Sequence, residues 1–225
     1  SGSGDLAHKI KLTKVDEDDN SITLANAVFT VTQPDGTTFN LTTGADGTVT
    51  SEALVQGTYK VKETTAPAGY ELNNTEYTLQ VTATDGALQT ISDKPTKTNI
   101  SVTKTWVGPK AGPITVHLFA NGTDTGTTLT LDDTNNWTAS FTNVRKYDQS
   151  GTEIQYTISE DTVNGYDATI TGNQTTGFTI TNTERPQNPT TPKTSDSTNI
   201  YLYIGMMFVG IIASGYLFSK RKSYR

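Results

Sequence analysis

Cysteine is absent from these 225 residues, so no disulfide can staple the fold and no thiolate can serve as nucleophile or metal ligand. Histidine is nearly absent too: His8 and His117 stand alone, with no second ligand at metal spacing, and neither a metal nor a cofactor is expected. Positive charge is in the minority, at 17 Lys and Arg against 23 Asp and Glu, for a net charge of −6. With a pI near 4.9 and no basic stripe outside the last six residues, the composition argues against a nucleic-acid partner. Hydrophobic residues make up only 33%, little for one large core, and one C-terminal run holds part of them. No segment has the periodicity of a substantial amphipathic helix. The opening Ser1-Gly2-Ser3-Gly4 reads as flexible linker, without Met, basic n-region or apolar h-region, so an exported precursor is expected to continue upstream.

What is plentiful is Thr, Val, Tyr and Ile in short alternating runs, the pattern of half-buried strands. The first half alternates at Ile10 and Leu12, then at Phe29 and Val31, with turn signals at Asp35-Gly36 and Asp46-Gly47. The second half repeats this rhythm at Ile114, Val116 and Leu118, followed by Asn121-Gly122. Trp106, Trp137, Phe141 and Phe178 are expected to fill its core. The fold class implied is all-β: two tandem immunoglobulin-like β-sandwiches over residues 7–97 and 98–184, after a short linker at 1–6.

The repeat also recurs in polar residues. Tyr59-Lys60-Val61-Lys62-Glu63 and Tyr156-Thr157-Ile158-Ser159-Glu160 each aim a glutamate to the face of the inward Tyr and aliphatic residue. An inward carboxylate is costly without a partner. Lys14 in KLTKVD and Lys104 in SVTKTW supply a cation in each first strand. Thr90-Ile91-Ser92-Asp93 and Thr179-Ile180-Thr181-Asn182 supply an Asx at each far end, 79 residues after the lysine in one half and 78 in the other. Asn99 is a rival to Asp93 as the first acceptor. The plain alternative is a pair of buried salt bridges.

The stretch from Tyr59 to Tyr70 resembles the YxLxETxAPxGY E-box of SpaA-type pilin domains, with Val61 at the Leu position. VTKTW, SEDTVNGY and TITN resemble the B-type domains of collagen adhesins. The resemblance covers about residues 7–184. It implies a prealbumin-like sandwich followed by a Cna B-type sandwich, each closed by a spontaneous isopeptide bond. The bonds would join Lys14 to Asp93 and Lys104 to Asn182, promoted by Glu63 and Glu160. Burial disfavours charge, so a neutral amine can attack the Asx carbonyl while the glutamic acid stabilises the oxyanion and moves protons. Such a bond forms once and turns nothing over, so no enzyme activity is expected.

Residues 185–199 are rich in Pro, Thr, Asn and Ser, and are expected to be a disordered linker. Residues 200–219 are expected to form a transmembrane helix, because the run from Ile200 to Phe218 just spans ~30 Å of hydrocarbon. The basic tail 220–225, with Lys220, Arg221, Lys222 and Arg225, is expected to stay cytoplasmic. Before this run, Thr191-Pro192-Lys193-Thr194-Ser195 resembles the LPXTG sorting motif of wall-anchored Gram-positive proteins, with Thr191 in place of Leu and Ser195 in place of Gly. The order of motif, apolar span and basic tail implies cleavage by a sortase between Thr194 and Ser195. Transfer to a peptidoglycan precursor or another pilin subunit would follow a transient membrane stage. A permanent membrane anchor, or a second sortase site at Asn188-Pro189-Thr190-Thr191, remain alternatives.

Asp16, Asp18 and Asn20 imitate the start of a calcium loop, but Ser21 and Ala27 stand where Gly and Glu are required, and a solvated turn is expected instead. No WxxxVxVYPK pilin stretch occurs, and Lys110 is the nearest candidate for a polymerising lysine. The function expected is therefore a wall-anchored stalk, or a minor or basal pilin, that supports adhesion at the cell surface. The alternative is an adhesin module whose own face binds host extracellular matrix.

Overall fold

The computed structural model describes residues 6–187, and these are all-β apart from single turns of 3-10 helix. Seven strands build a first sandwich: β1 (Ile10–Asp16), β2 (Val28–Thr32), β3 (Thr38–Thr42), β4 (Thr48–Thr50), β5 (Gly57–Thr65), β6 (Glu76–Val81) and β7 (Ala87–Asp93). One sheet has the order β4-β1-β7 and the other β3-β2-β5-β6. Seven more build a second: β8 (Lys97–Val107), β9 (Ile114–Ala120), β10 (Thr123–Leu131), β11 (Thr138–Arg145), β12 (Tyr156–Glu160), β13 (Tyr166–Asn173) and β14 (Gly177–Glu184). Their sheets run β10-β9-β12 and β11-β8-β14-β13.

Period-two alternation decides which side chains enter each core. On β5, Tyr59, Val61 and Glu63 are buried while Lys60 and Lys62 are exposed. The first core gathers Ile10, Leu12, Phe29, Val31, Tyr59, Val61 and Ile91. The second gathers Ile100, Val116, Leu118, Trp137, Phe141, Phe178 and Ile180, with Trp106 packed at its margin.

In each sandwich the first strand lies beside the last and parallel to it. Lys14 pairs with Ile91 and Asp16 with Asp93; Lys104 pairs with Ile180 and Trp106 with Asn182. The Asx therefore sits two residues beyond the lysine's cross-strand partner in both. This shared register is the three-dimensional meaning of the near-constant sequence spacing.

Asn121-Gly122 closes the β9–β10 hairpin as a two-residue turn with both φ values positive, at 49° and 82°. Asp46-Gly47 behaves differently from the hairpin its sequence suggests. It turns the chain, but β3 and β4 lie in opposite sheets, so the turn carries the backbone across the sandwich. Gly47, at φ +73°, packs so tightly that a Cβ would lie 2.7 Å from the Leu24 nitrogen.

No helix among the described residues is long and apolar enough to cross a membrane. The expected membrane span at 200–219, the basic tail at 220–225 and the sorting motif from Thr191 to Ser195 all lie outside the described residues.

Candidate functional sites in the two sandwich cores

In the first sandwich β1 places Lys14, β5 places Glu63 and β7 places Asp93 around one point of the core. The Lys14 and Asp93 side chains are 0% exposed and that of Glu63 is 1% exposed. Lys14 Nζ lies 2.9 Å from Glu63 Oε1 and donates a short hydrogen bond to Asp93 Oδ1. The other glutamate oxygen, Oε2, accepts from the Asn73 backbone N–H at 2.8 Å. Asn73 is itself held by its side-chain amide donating to the Ser92 carbonyl at 2.9 Å. The Phe29 ring lies 5.5 Å from Lys14 Nζ and walls the site from water. Burial pushes the Asp93 carboxyl up to about 7, against the opposing pull of Lys14. Asp93 Oδ2 has no hydrogen-bond partner among the described residues.

The second site has the same parts in a different contact order. Lys104 Nζ donates to Glu160 Oε1 at 2.7 Å, with side chains 0% and 2% exposed. Asn182, fully buried, meets the same Oε1 through its amide at 3.2 Å. Glu160 thus bridges amine and acceptor, whereas in the first site the amine touches its acceptor directly. Asn182 Oδ1 has no partner among the described residues. Burial lowers the Lys104 pKa, opposed by its bond to Glu160, and the Trp106 ring lies 4.4 Å from Nζ.

The structure brings together Lys14, Glu63 and Asp93, and separately Lys104, Glu160 and Asn182. Asn99 is not at the first site: its side-chain oxygen accepts from the Asn143 backbone N–H on an exposed edge. Lys110 pairs with Asp133 at 2.6 Å, half exposed. Among the described residues no group of three or more His, Asp or Glu could hold a metal.

The expectation of a solvated turn fails at Asp16. It is 0% exposed, accepting from Arg145 Nη1 at 2.7 Å, Tyr70 OH at 2.8 Å, and the backbone N–H groups of Asp18 and Asp19. Burial pushes its carboxyl up, but these four donors outweigh that and hold it at about 2. Two signals were available. Asp16 stands two residues after Lys14, hence on the same strand face, and Tyr70 closes the E-box. Arg145 carried none, because it comes from the other sandwich.

Residues 8–97 match the prealbumin-like fold domain family SpaA, and residues 100–183 match the Cna protein B-type domain. A collagen adhesin of Staphylococcus aureus is 28% identical over 174 residues, which is 71% of this chain and 15% of that protein. The Bacillus anthracis TIE protein shares the fold at a TM-score of 0.57 and 22% identity, over 79% of this chain and 33% of that one. A C-terminal fragment of the pilus adhesin SpaC from Lactobacillus rhamnosus GG is 17% identical over 81% of this chain and 98% of the fragment, at a TM-score of 0.42. The chain therefore spans a minor part of the collagen adhesin and of the TIE protein.

Proposed function

From a chain that belongs, through its SpaA prealbumin-like and Cna B-type domains, to the Gram-positive surface pilins and adhesins, we propose a structural role. It is a stalk segment or minor pilin, self-crosslinked by one Lys–Asx isopeptide bond in each sandwich and joined to peptidoglycan by a sortase. The observation that carries this reading is the recurrence, at equal register, of a buried Lys–Glu–Asx cluster between the first and last strands.

In the first sandwich Glu63 takes a proton from the Lys14 ammonium, and the amine attacks Asp93 Cγ. The Nζ–Cγ bond forms, one Cγ–O bond breaks, and Glu63 relays the two protons that Nζ gives up to the departing oxygen, which leaves as water. In the second, Glu160 takes one proton from the Lys104 ammonium and donates it to the oxyanion as Nζ attacks Asn182 Cγ; the Nζ–Cγ bond forms, the Cγ–Nδ2 bond breaks, and a second Nζ proton passes to the amide nitrogen, which leaves as ammonia. The fold supplies the driving proximity: the reacting groups are already in contact or share one carboxylate, so the step is intramolecular. A loop of this span closed covalently gains about 4.5 kcal/mol on the chain-entropy account, the role that disulfides leave open in a cysteine-free chain.

Tension entering before β1 would pass along residues 10–14, cross to Asp93, run through β8 to Lys104 and leave through Asn182. The strands between stay outside the loaded path. The name of the collagen adhesin describes a protein of which this chain matches 15%, and no surface here is assigned to matrix binding.

Intact mass spectrometry tests the crosslinks. The expected chain is one water and one ammonia lighter than its sequence, with the water restored by Glu63→Ala and the ammonia by Glu160→Ala. A mass equal to the sequence refutes both bonds. Incubation with a sortase and an amine nucleophile tests the anchor: cleavage after Thr194, lost in Thr194→Ala, is expected, and an uncut chain refutes it.

A further inference from the structure

The inner face at the end of β1 holds three carboxylates and one lysine. Lys14 and Asp16 project to the same face, and Asp16 stands directly opposite Asp93 across the parallel pair. Asp16 is therefore a third buried acid beside the reacting group, together with Glu63 and Asp93. A lysine side chain is flexible enough to swing between two carboxylates that face each other across a strand pair. An amine drawn to Asp16 is drawn away from the Asp93 contact that the structure shows.

The second sandwich removes this competitor. Arg145 ends β11, where it pairs with Lys97 at the start of β8, so it sits at the end of the second sandwich that meets the first. It crosses the joint to Asp16 Oδ2 at 2.7 Å, where Tyr70 OH also donates at 2.8 Å. The guanidinium side chain is only 30% exposed. Its seat is built by close backbone approach. Lys146 N–H donates to the Thr96 carbonyl at 2.9 Å, and Gly69 of the E-box loop, at φ +86°, has Tyr147 where a Cβ would stand, 3.0 Å away. Lys97 adds a 2.7 Å pair to Asp18 in the turn after Asp16.

We infer that Arg145 is a positioning residue for the first sandwich's isopeptide bond: by occupying Asp16 it leaves Lys14 directed at Asp93, so the bond completes only once the second sandwich has docked. This rests on the crosslink reading above and adds an order to it, with the second domain acting on the chemistry of the first. The same contact makes the joint a half-buried ionic clasp, which suits a segment that must transmit tension without a loose hinge.

The test follows the Lys14–Asp93 and Lys104–Asn182 linked peptides over time after cell-free synthesis of the full 225-residue chain in detergent. Arg145→Met is expected to slow the first bond roughly tenfold or more, as expected when one partner of a buried pair is lost. The second bond, in the same molecules, should keep its wild-type rate. Adding Asp16→Asn to Arg145→Met removes the competing charge and should restore the first bond to within about twofold of wild type, a rescue that a merely structural role would not produce. Arg145→Gln, with and without Asp16→Asn, carries the same comparison should the methionine variant fail to fold. A first bond as fast in Arg145→Met as in wild type overturns this inference alone. So does a double variant as slow as the single. A wild-type chain with no Lys14–Asp93 linkage overturns the crosslink reading, and this inference with it.

Discussion

Glu63→Ala should turn the first sandwich from an inextensible element into an extensible one, and the structure sets how far it extends. Lys14 and Asp93 are 79 residues apart in sequence but touch across β1 and β7. With the bond made, force applied at both ends of the chain bypasses residues 15–92. Without it, those residues unravel at about 3.4 Å each, releasing about 270 Å of contour length. The second sandwich, with nearly the same span between Lys104 and Asn182, should release a similar length in Glu160→Ala. Because the sequence contains no cysteine, handles can be attached at Ser3→Cys and Gln187→Cys without side reactions. In a single-molecule pulling experiment the wild-type chain should then show neither step. Each single variant should show one step of about 270 Å, and the double variant two. The glutamate variants should also lose up to about 4.5 kcal/mol of stability through the opened loop, beyond any packing loss at the substituted site. A wild-type trace containing both full-length steps would refute the argument, since tension would then be reaching strands that the bonds are meant to shield.

Asp93→Asn keeps an acceptor at the first site but changes the leaving group, so the mass deficit should become two ammonias. It should also change the pH response. Asp93 titrates at about 7, and its acid form is the better electrophile, so the wild-type first bond should form more slowly as pH rises above 7. An Asp93→Asn chain should lack that limb, and identical pH profiles would count against attack on a carboxylic acid. Asp16 gives a stability prediction of opposite sense. Its folded pKa, about 2, lies below the ordinary 3.8, so its stabilisation is present above about pH 4 and is lost as pH falls toward 2. The contribution is about 2 kcal/mol. Thermal melts of Glu63→Ala/Glu160→Ala between pH 5 and 2 should show this loss, and adding Arg145→Met should flatten it. Parallel curves would show that the clasp does not hold Asp16 ionised.

The recurring elements were legible because short-range periodicity encodes them. Alternation on β5 and β12 predicted that Glu63 and Glu160 face inward, and they do. Repeat spacing paired each lysine with an Asx at the far end of its half, and the parallel pairing of first and last strands accounts for that spacing. Other features escaped the same reasoning. Asp46-Gly47 signals a turn because turn chemistry is local, whereas the choice of sheet on leaving it depends on which core the next strand can complete. The fate of Asp16 escaped because its solvation is decided by Arg145, 129 residues away.

Composition, turn residues and alternation by themselves determined two all-β halves and their inward acids, since each of these depends on neighbours within a few residues, and the repeat spacing added the candidate partners. Only the tertiary structure decided that Asp93 rather than Asn99 meets Lys14, that Glu160 stands between Lys104 and Asn182, and that the second sandwich reaches into the first. Those outcomes depend on strand register and on how two folded bodies abut, and the electrostatic cost of a buried charge is met by whichever groups the finished fold brings within about 3 Å.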